Sequence, residues 1–556
     1  MKRVHPLLTA ALFLGAANAC SRDVVSPGGG SGAVSLSAPL AVDAVATSPT
    51  SVRIVYQPLD AADDYVIQRS GSDGNFKAVG TTGADQFDDT GLSPGVTYHY
   101  RVAGRSQQQQ GAFSQGVAAT TYDRGSQVAV LTGRIRSSRT VGPDSTWVIS
   151  GTADVENGAT LTILPGTQLV GDSSRPWSTL VITRGAKIDA RGAADNPIVF
   201  TSQHAPGDRM PGDWGGIAIV GNARTNLAGD RFTDGHDRTF NYGGGGNDAD
   251  NSGVLRYVRI EFAGHAYATG VEANSLTLYA VGRGTTIEYV QVLGGLDDHF
   301  KFLGGTVNSR YLVSYDAGGN HFDFGQGFTG HLQNVIALQT RRVTGRPGSG
   351  DAPGSLSAFE SDGCESDLIA CGDVHASPYT MPTVANFSIV GAPKSALGDA
   401  TEFGLRARRG SAGTYVNGII ARIPDRGISV EDSFSDTLRA RDSLTIRNVL
   451  VSDTPTLFDP DQSSSYGQRS KFSASGIEET SASAASLFVY LPAAPTTSTL
   501  DWTPSSQSPA NSGGLSTFGG VVAARTAGVV SPTTYRGAVD PFGSRWWTGW
   551  TVFVGG

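Results

Sequence analysis

A strand-sized repeat runs through the middle and C-terminal part of the chain. A short β-branched or aromatic run is followed by a Gly, Asn or Asp turn, and the pattern then returns. It is seen in RYVRIEFAG (256–264), IEYVQVLGG (287–295), RYLVSYDAGG (310–319), LQNVIALQ (332–339), VANFSIVGA (384–392), YVNGIIARI (415–423) and IRNVLVSD (446–453). Tyr257, Tyr289, Tyr311 and Val335 follow one another at steps of 32, 22 and 24. Asn386, Asn417 and Asn448 follow at steps of 31. Upstream, Ile163 and Ile182, a step of 19, read as one turn of a narrow coil. Periods of roughly 20 to 35 residues built from strands specify a β-solenoid, in which inward Val, Ile and Leu stack about 4.8 Å above their counterparts on the next coil. Such a fold presents an extended ridged face, suited to a long ligand.

Composition agrees. The 73 glycines suit many tight turns, whereas 3 Met and 17% charged residues argue against a helical bundle. At 556 residues more than one domain is expected. With 50 acidic against 42 basic residues there is no basic stripe, which argues against nucleic acid as a partner.

Residues 1–19 read as a signal peptide: Lys2 and Arg3, an apolar stretch Leu7 to Ala17, then Ala17-Asn18-Ala19-Cys20. The apolar stretch is too short to span a bilayer. This end resembles a bacterial lipoprotein signal, which implies lipidation of Cys20 and a place on the outer membrane or cell surface. Ala17 departs from the leucine usual in that motif, and ordinary cleavage with secretion is the alternative. Removing residues 1–19 takes Lys2 and Arg3 and moves the formal charge from −8 to −10. With Cys20 lipidated, Cys364 and Cys371 remain, an even pair expected to form a disulfide in an exported protein. Residues 20–35 (SRDVVSPGGGSG within them) read as a flexible tether. No later segment is apolar enough to cross a membrane, so the lipid alone would hold the protein there.

Residues 36–122 carry short alternating runs at SVRIVYQP (51–58), DYVIQRS (64–70), FKAVGTT (76–82), YHYRVAG (98–104) and GVAATTY (116–122), with turn signals about every ten residues. DTGLSPGVTYHYRVAG resembles a fibronectin type III domain. Leu92 and Tyr98 match its tyrosine corner, and Tyr56 stands where the family has Trp. A spacer holding the next domain off the membrane is the expected role.

Residues 128–556 carry ENGATLTILPGT, ITRGAKIDARGAADNPIVFTS, GDWGGIAIVGNA, GTTIEYVQVLGGLDDHFKFLGGTVNSRYLVSY, FESDG and YRGAVDPFGSRWWTGWTVF. Together these resemble a family of exported bacterial proteins with a right-handed parallel β-helix, largely uncharacterised surface lipoproteins. The fold class expected is therefore all-β: a fibronectin type III sandwich followed by a pectin-lyase-like solenoid. The region around Trp147 and residues 495–556, with Trp502, Trp546, Trp547 and Trp550, are expected to cap its two ends.

Polar residues concentrate in the middle coils: Asp297, Asp298, His299, Asp316, Asn320, His321, Asp323, Glu360, Asp362 and Glu365. Asp298 and Asp323, at a step of 25, read as stacked neighbours one coil apart. Two carboxylates so close repel unless a cation or donor sits between them. Asp297, Asp298, Asp323 and Glu360 are the catalytic candidates, for a glycoside hydrolase working through paired carboxylates or a polysaccharide lyase. By resemblance to β-helix lyases the acids would hold calcium against uronates, although the resembled family tends to be acidic where this chain has Asn320 and His321. The competing reading is turn-capping, since Asp and Asn bind backbone N–H groups at corners. His299 and His321, each beside a Phe, are expected to be packed and hydrogen-bonded. With Asp316, Asp362, Arg408 and Arg409 they are the ligand-binding candidates. LRARRG (405–410) either meets sugar carboxylates or balances the acidic coils. GDRFTDGHD and GGGGNDAD are similar to calcium loops but fit no EF-hand spacing. The function expected is binding of an extracellular polysaccharide or a surface protein; an enzyme, and an adhesin or transporter accessory, are the rivals.

Overall fold

The computed structural model describes residues 36–553, less isolated positions or pairs and the segments 122–126, 234–237, 365–373, 460–465 and 493–499. The signal segment, Cys20 and the tether lie outside the described residues, as do Glu365 and Cys371, and with Cys371 the expected disulfide.

The first unit is an antiparallel sandwich. Strands Asp43–Ser48, Ser51–Val55 and Gln86–Thr90 form one sheet. Lys77–Thr82, Asp64–Ser70 and Thr97–Ser106, joined by Gln109–Gln110 and Val117–Thr120, form the other. Alternation points Val52, Ile54, Ile67, Tyr100 and Val102 into the shared core. The corner expected at Tyr98 forms: its hydroxyl accepts from the Ser93 N–H at 3.0 Å. Tyr56 fills the Trp position, buried, with its ring 4.6 Å from Tyr65 and its hydroxyl donating to the Ala84 carbonyl.

From Gln127 onward one 25-stranded parallel sheet winds into a β-helix. Its strands stack in three columns. The front column holds Thr179–Ile182, Gly216–Val220, Leu276–Tyr279, Phe300–Leu303, Phe322–Gly325, Ser355–Asp362, Thr401–Arg408 and Arg426–Val430, each paired with the next. The other two columns are the two halves of single bent strands, such as Gly253–Glu261, Thr286–Leu293, Asn308–Tyr315, His331–Leu338 and Thr383–Val390. The bend falls on one left-handed residue per coil: Tyr257, Tyr289, Tyr311, Asn334, Asn386, Asn417 and Asn448, with φ between 50° and 60°. Asn tolerates that region better than other side chains, which is why the repeat shows as an Asn ladder.

The coil lengths correct two sequence expectations. Leu312 pairs with Val335, so Tyr311 answers to Asn334, one position short of Val335. Ile163 and Ile182 belong to different columns: Ile163 pairs with Ala190 and Ile182 with Val155, a step of 27 rather than 19. The core between the columns is an aliphatic and aromatic stack. Phe300 lies over Phe322 with ring centres 4.9 Å apart and planes 7° from parallel, and Phe322 over Phe359 at 5.5 Å.

The C-terminal residues do not plug the end of the stack. They run back along its flank. Asn448 donates to the Gly513 carbonyl and Asn417 to the Thr533 hydroxyl; Asn386 bonds Gly537, and Asn334 bonds Ala538. Trp546 then packs on Tyr311, and Trp550 on Tyr289 and Tyr257. The physical reason is burial. The outer side of the third column is apolar (Leu293, Val313, Ile336, Leu338, Ile419), and Trp502, Trp547 and Phe553 cover it. Trp147 likewise sits inside the first coils, paired between Ala129 and Leu169, rather than over an end.

Candidate functional site

The front column alternates strictly, because successive side chains of a strand point to opposite faces. Phe300, Phe322, Phe359, Leu405 and Ile428 point inward. Their successors Lys301, Asp323, Glu360, Arg406 and Ser429 form an outward rung ladder, register-paired in that order. The outward side therefore carries a line of charge along the stacking axis.

Lys301 is the residue that orders its upper part. Its ammonium lies 3.0 Å from Asp298 and 2.9 Å from Asp323. The two carboxylates read as stacked neighbours are thus not in register. The coil here is shorter than their spacing, so Asp323 pairs with Lys301, while Asp298 answers to Asn320 and accepts its N–H at 2.7 Å. The cation required between two such carboxylates comes from this chain. Lower down, Glu360 is held by Arg406 at 3.3 Å and closely by Arg408. Asp362 is held by Arg408 at 3.1 Å and Arg409 at 2.6 Å, and Glu431 by Arg406 at 2.7 Å. Burial would lower the Arg408 pKa, but Glu360, Asp362, Asp323 and Glu431 together raise it above its ordinary value. Of the two roles open to LRARRG, balancing the acidic coils is the arrangement found. Glu360 and Asp362 are buried and Glu431 is half-buried, whereas Arg408 and Arg409 keep 22% and 31% of their side-chain surface and so form the accessible rim.

The other candidates lie elsewhere. Asp297 is half-buried in the turn against Gly319. Asp316 sits at a corner with φ +51°, accepts from the Thr340 N–H and hydroxyl at 2.7 and 2.9 Å, and meets Arg341 at 3.3 Å. Burial raises its pKa. His299 and His321 point into the solenoid. The Gly295 N–H donates to His299 Nε2, which fixes the proton on Nδ1 facing the Ser314 hydroxyl at 2.7 Å; that hydroxyl also meets His321 Nδ1 at 2.6 Å. Burial pushes the His299 pKa well down and that of His321 to about 3. Both are neutral and buried in the turns that lead into the front strands, ahead of the alternating run that carries Lys301 and Asp323. Lys301 was missed in the sequence, although DDHFKF places it beyond Phe300 on the polar side.

Among the described residues no group of three or more His, Cys, Asp or Glu is placed to hold a metal ion. Chemically the ladder is a line of carboxylates already matched by ammonium and guanidinium groups. The part-exposed guanidinium edges of Arg408 and Arg409 are the donors that this matching leaves accessible.

Among solved structures the chain is similar to a titin fragment (14% identity, 16% of this chain, 33% of that one, TM-score 0.15), to a Fn3-like protein from Clostridium thermocellum (24%, 15%, 95%, 0.14) and to the FN5 domain of Drosophila Lar (23%, 15%, 94%, 0.14). The chain thus spans about a third of the titin fragment it matches. No curated protein sequence matches it. For the solenoid, residues 133–498 match the family model described as a pectate-lyase like beta helix domain, which is more than half of the chain. Column stacking, corner ladder and that match agree: the chain belongs to the pectate-lyase-like β-helix family.

Proposed function

We propose that this protein is a lipid-anchored surface protein whose β-helix binds an extended extracellular polysaccharide along its front column. The observation that carries the reading is the outward ladder Lys301–Asp323–Glu360–Arg406, flanked by Arg408 and Arg409 and running in line with the stacking axis. A polymer laid on such a line meets charged groups at the coil spacing, with the donors at Lys301 and at the Arg406, Arg408 and Arg409 cluster. The family description supports a polysaccharide as the ligand class. The sandwich and the tether before it would hold the solenoid clear of a membrane reached through Cys20.

Hydrolase or lyase chemistry through Asp298, Asp323 and Glu360 is the weaker reading, because each of those carboxylates is engaged by a cation. The test is a polysaccharide array and pull-down with the full chain and with Lys301→Gln and Arg409→Ala. Retention of at least one polymer, weakened about tenfold in each variant, is expected from the loss of one charge-assisted contact. Retention of no polymer removes the proposal. Release of unsaturated or reducing ends by the wild-type chain would replace it with the enzyme.

A further inference from the structure

A second concavity lies where the sandwich meets the loops that lead into the early front-column strands and those of the middle coils. It encloses ≈ 460 Å³ and is lined by Tyr56 and Gln86 from the sandwich and by Ser174, Asp213, His265 and Arg346 from the solenoid, among others. That volume falls within the roughly 300–1,000 Å³ typical of small-molecule sites. The two walls are tied at its edge: Arg53 of the sandwich, bonded to Asp88, reaches the Ser174 hydroxyl at 3.4 Å.

The polar groups of the cleft define what fits it. Asp213 is wholly buried at its floor, yet its charge is met. It accepts from the Ser202 hydroxyl and the Met210 N–H and is clasped by the Arg346 guanidinium, which also donates to the Asp208 carbonyl. The floor therefore offers no net charge to an ionic ligand. His265 Nδ1 lies 3.1 Å from the Gly212 carbonyl, which fixes the proton there and makes Nε2 an acceptor. Burial keeps that imidazole neutral at physiological pH by lowering its pKa. An acceptor nitrogen, serine hydroxyls, the Gln86 amide and the exposed ring of Pro347 are complementary to hydroxyls on a ring with apolar faces. An anion would need an unmatched cation, and an apolar ligand would strand the imidazole.

We propose that this cleft is a second binding site, for a neutral sugar of one or two rings, and that the sandwich supplies one of its walls rather than serving as a spacer alone. Saturation-transfer NMR on the full chain tests it, with glucose, galactose, maltose and cellobiose as probes and galacturonate as the charged comparison. At least one neutral sugar should give a signal, and galacturonate a weaker one or none. His265→Asn keeps a donor for the Gly212 carbonyl but removes the Nε2 acceptor. It should weaken binding about tenfold with an unchanged melting temperature. Gln86→Ala, an exposed position on the opposite wall, should weaken it several-fold and cannot compromise the solenoid. No signal from any neutral sugar, preference for galacturonate, or binding indifferent to both substitutions would overturn the proposal.

Discussion

Lys301 shows how much of this surface hangs on single side chains. Its ammonium is shared by Asp298 and Asp323, both almost fully buried, so Lys301→Met would leave two carboxylates facing each other without the ammonium between them. Breaking a buried pair from one side costs about 3 kcal/mol. Urea denaturation at pH 7 should show a loss of that order, recovered in part by adding Asp298→Asn, which removes one of the two charges. No recovery in the double variant would mean that packing, not charge, is at stake. Asp154, at the start of the front column, makes the opposite case. Burial, then its hydrogen bond to Glu156, raises its pKa to about 7, while the same bond, with Arg136 and Arg134, lowers that of Glu156. Arg238, ion-paired with Asp154, works against that rise without cancelling it. Since the folded pKa lies above the ordinary value of 3.8, the stabilisation is complete below pH 4 and is lost as the pH rises through 7. Asp154→Asn, which can donate to Glu156 permanently, should abolish the fall in melting temperature expected of the wild-type chain between about pH 4 and 7. An equal fall in the variant would assign the titration elsewhere. At this scale the sequence was partly legible. The cluster of acids was visible in DDHF and FESDG, but their partners were not. Partners one coil away are fixed by a register that changes from coil to coil: Phe300 pairs with Phe322, whereas His331 must reach past a long loop to Thr383.

The corner ladder carries the argument from residue to element. Its seven left-handed positions fall on the same side of every coil, and Asn386, Asn417 and Asn448 announced it in the sequence because Asn alone among them repeats at a constant step. Tyr257, Tyr289 and Tyr311 occupy the same conformation for a different reason. Their rings stack at 4.5 Å, face to face, and that packing offsets part of the backbone cost. The switch from Tyr to Asn hid the one-residue offset at Asn334. Asn417 is fully buried, with φ 58°, and bonds both the Leu515 N–H at 2.6 Å and the Thr533 hydroxyl at 3.1 Å. Asn417→Ala should cost about 2–4 kcal/mol: roughly 1 for a left-handed alanine and the rest for the stranded Leu515 N–H. Asn417→Gly removes the first cost and keeps the second. Denaturation of the two variants should therefore separate them by about 1 kcal/mol, with Gly the more stable. If they coincide, the corner is not strained and the side-chain bonds alone set the position.

A solenoid is close to one-dimensional: each coil touches its neighbours only, and distant coils are independent unless something else joins them. Residues 513–553 supply that link. They cross the flank from Asn448 back to Tyr257, with Gln291 exchanging two hydrogen bonds with Val552 near the far end. Periodicity revealed the coils but could not reveal this layer, since the segment has no repeat of its own and its aromatics suit an end plug as well as a side cover. Its effect on the whole molecule is therefore a matter for measurement. Deleting 513–553 exposes Leu293, Val313, Ile336, Leu338 and Ile419 on the outer side of the third column and uncouples the coils. Calorimetry of the truncated chain should show the solenoid transition lowered by more than about 10 °C and broadened, with the sandwich transition in place, and an apolar dye should bind. Trp550→Ala tests the same link at one point. The ring is fully buried, edge-on to Tyr257 and Tyr289 at 6.0 and 6.1 Å, and its loss should cost about 3–5 kcal/mol. A truncated chain that melts sharply at the wild-type temperature would mean that the coils cooperate through their own stacking, and that the flank segment only covers them.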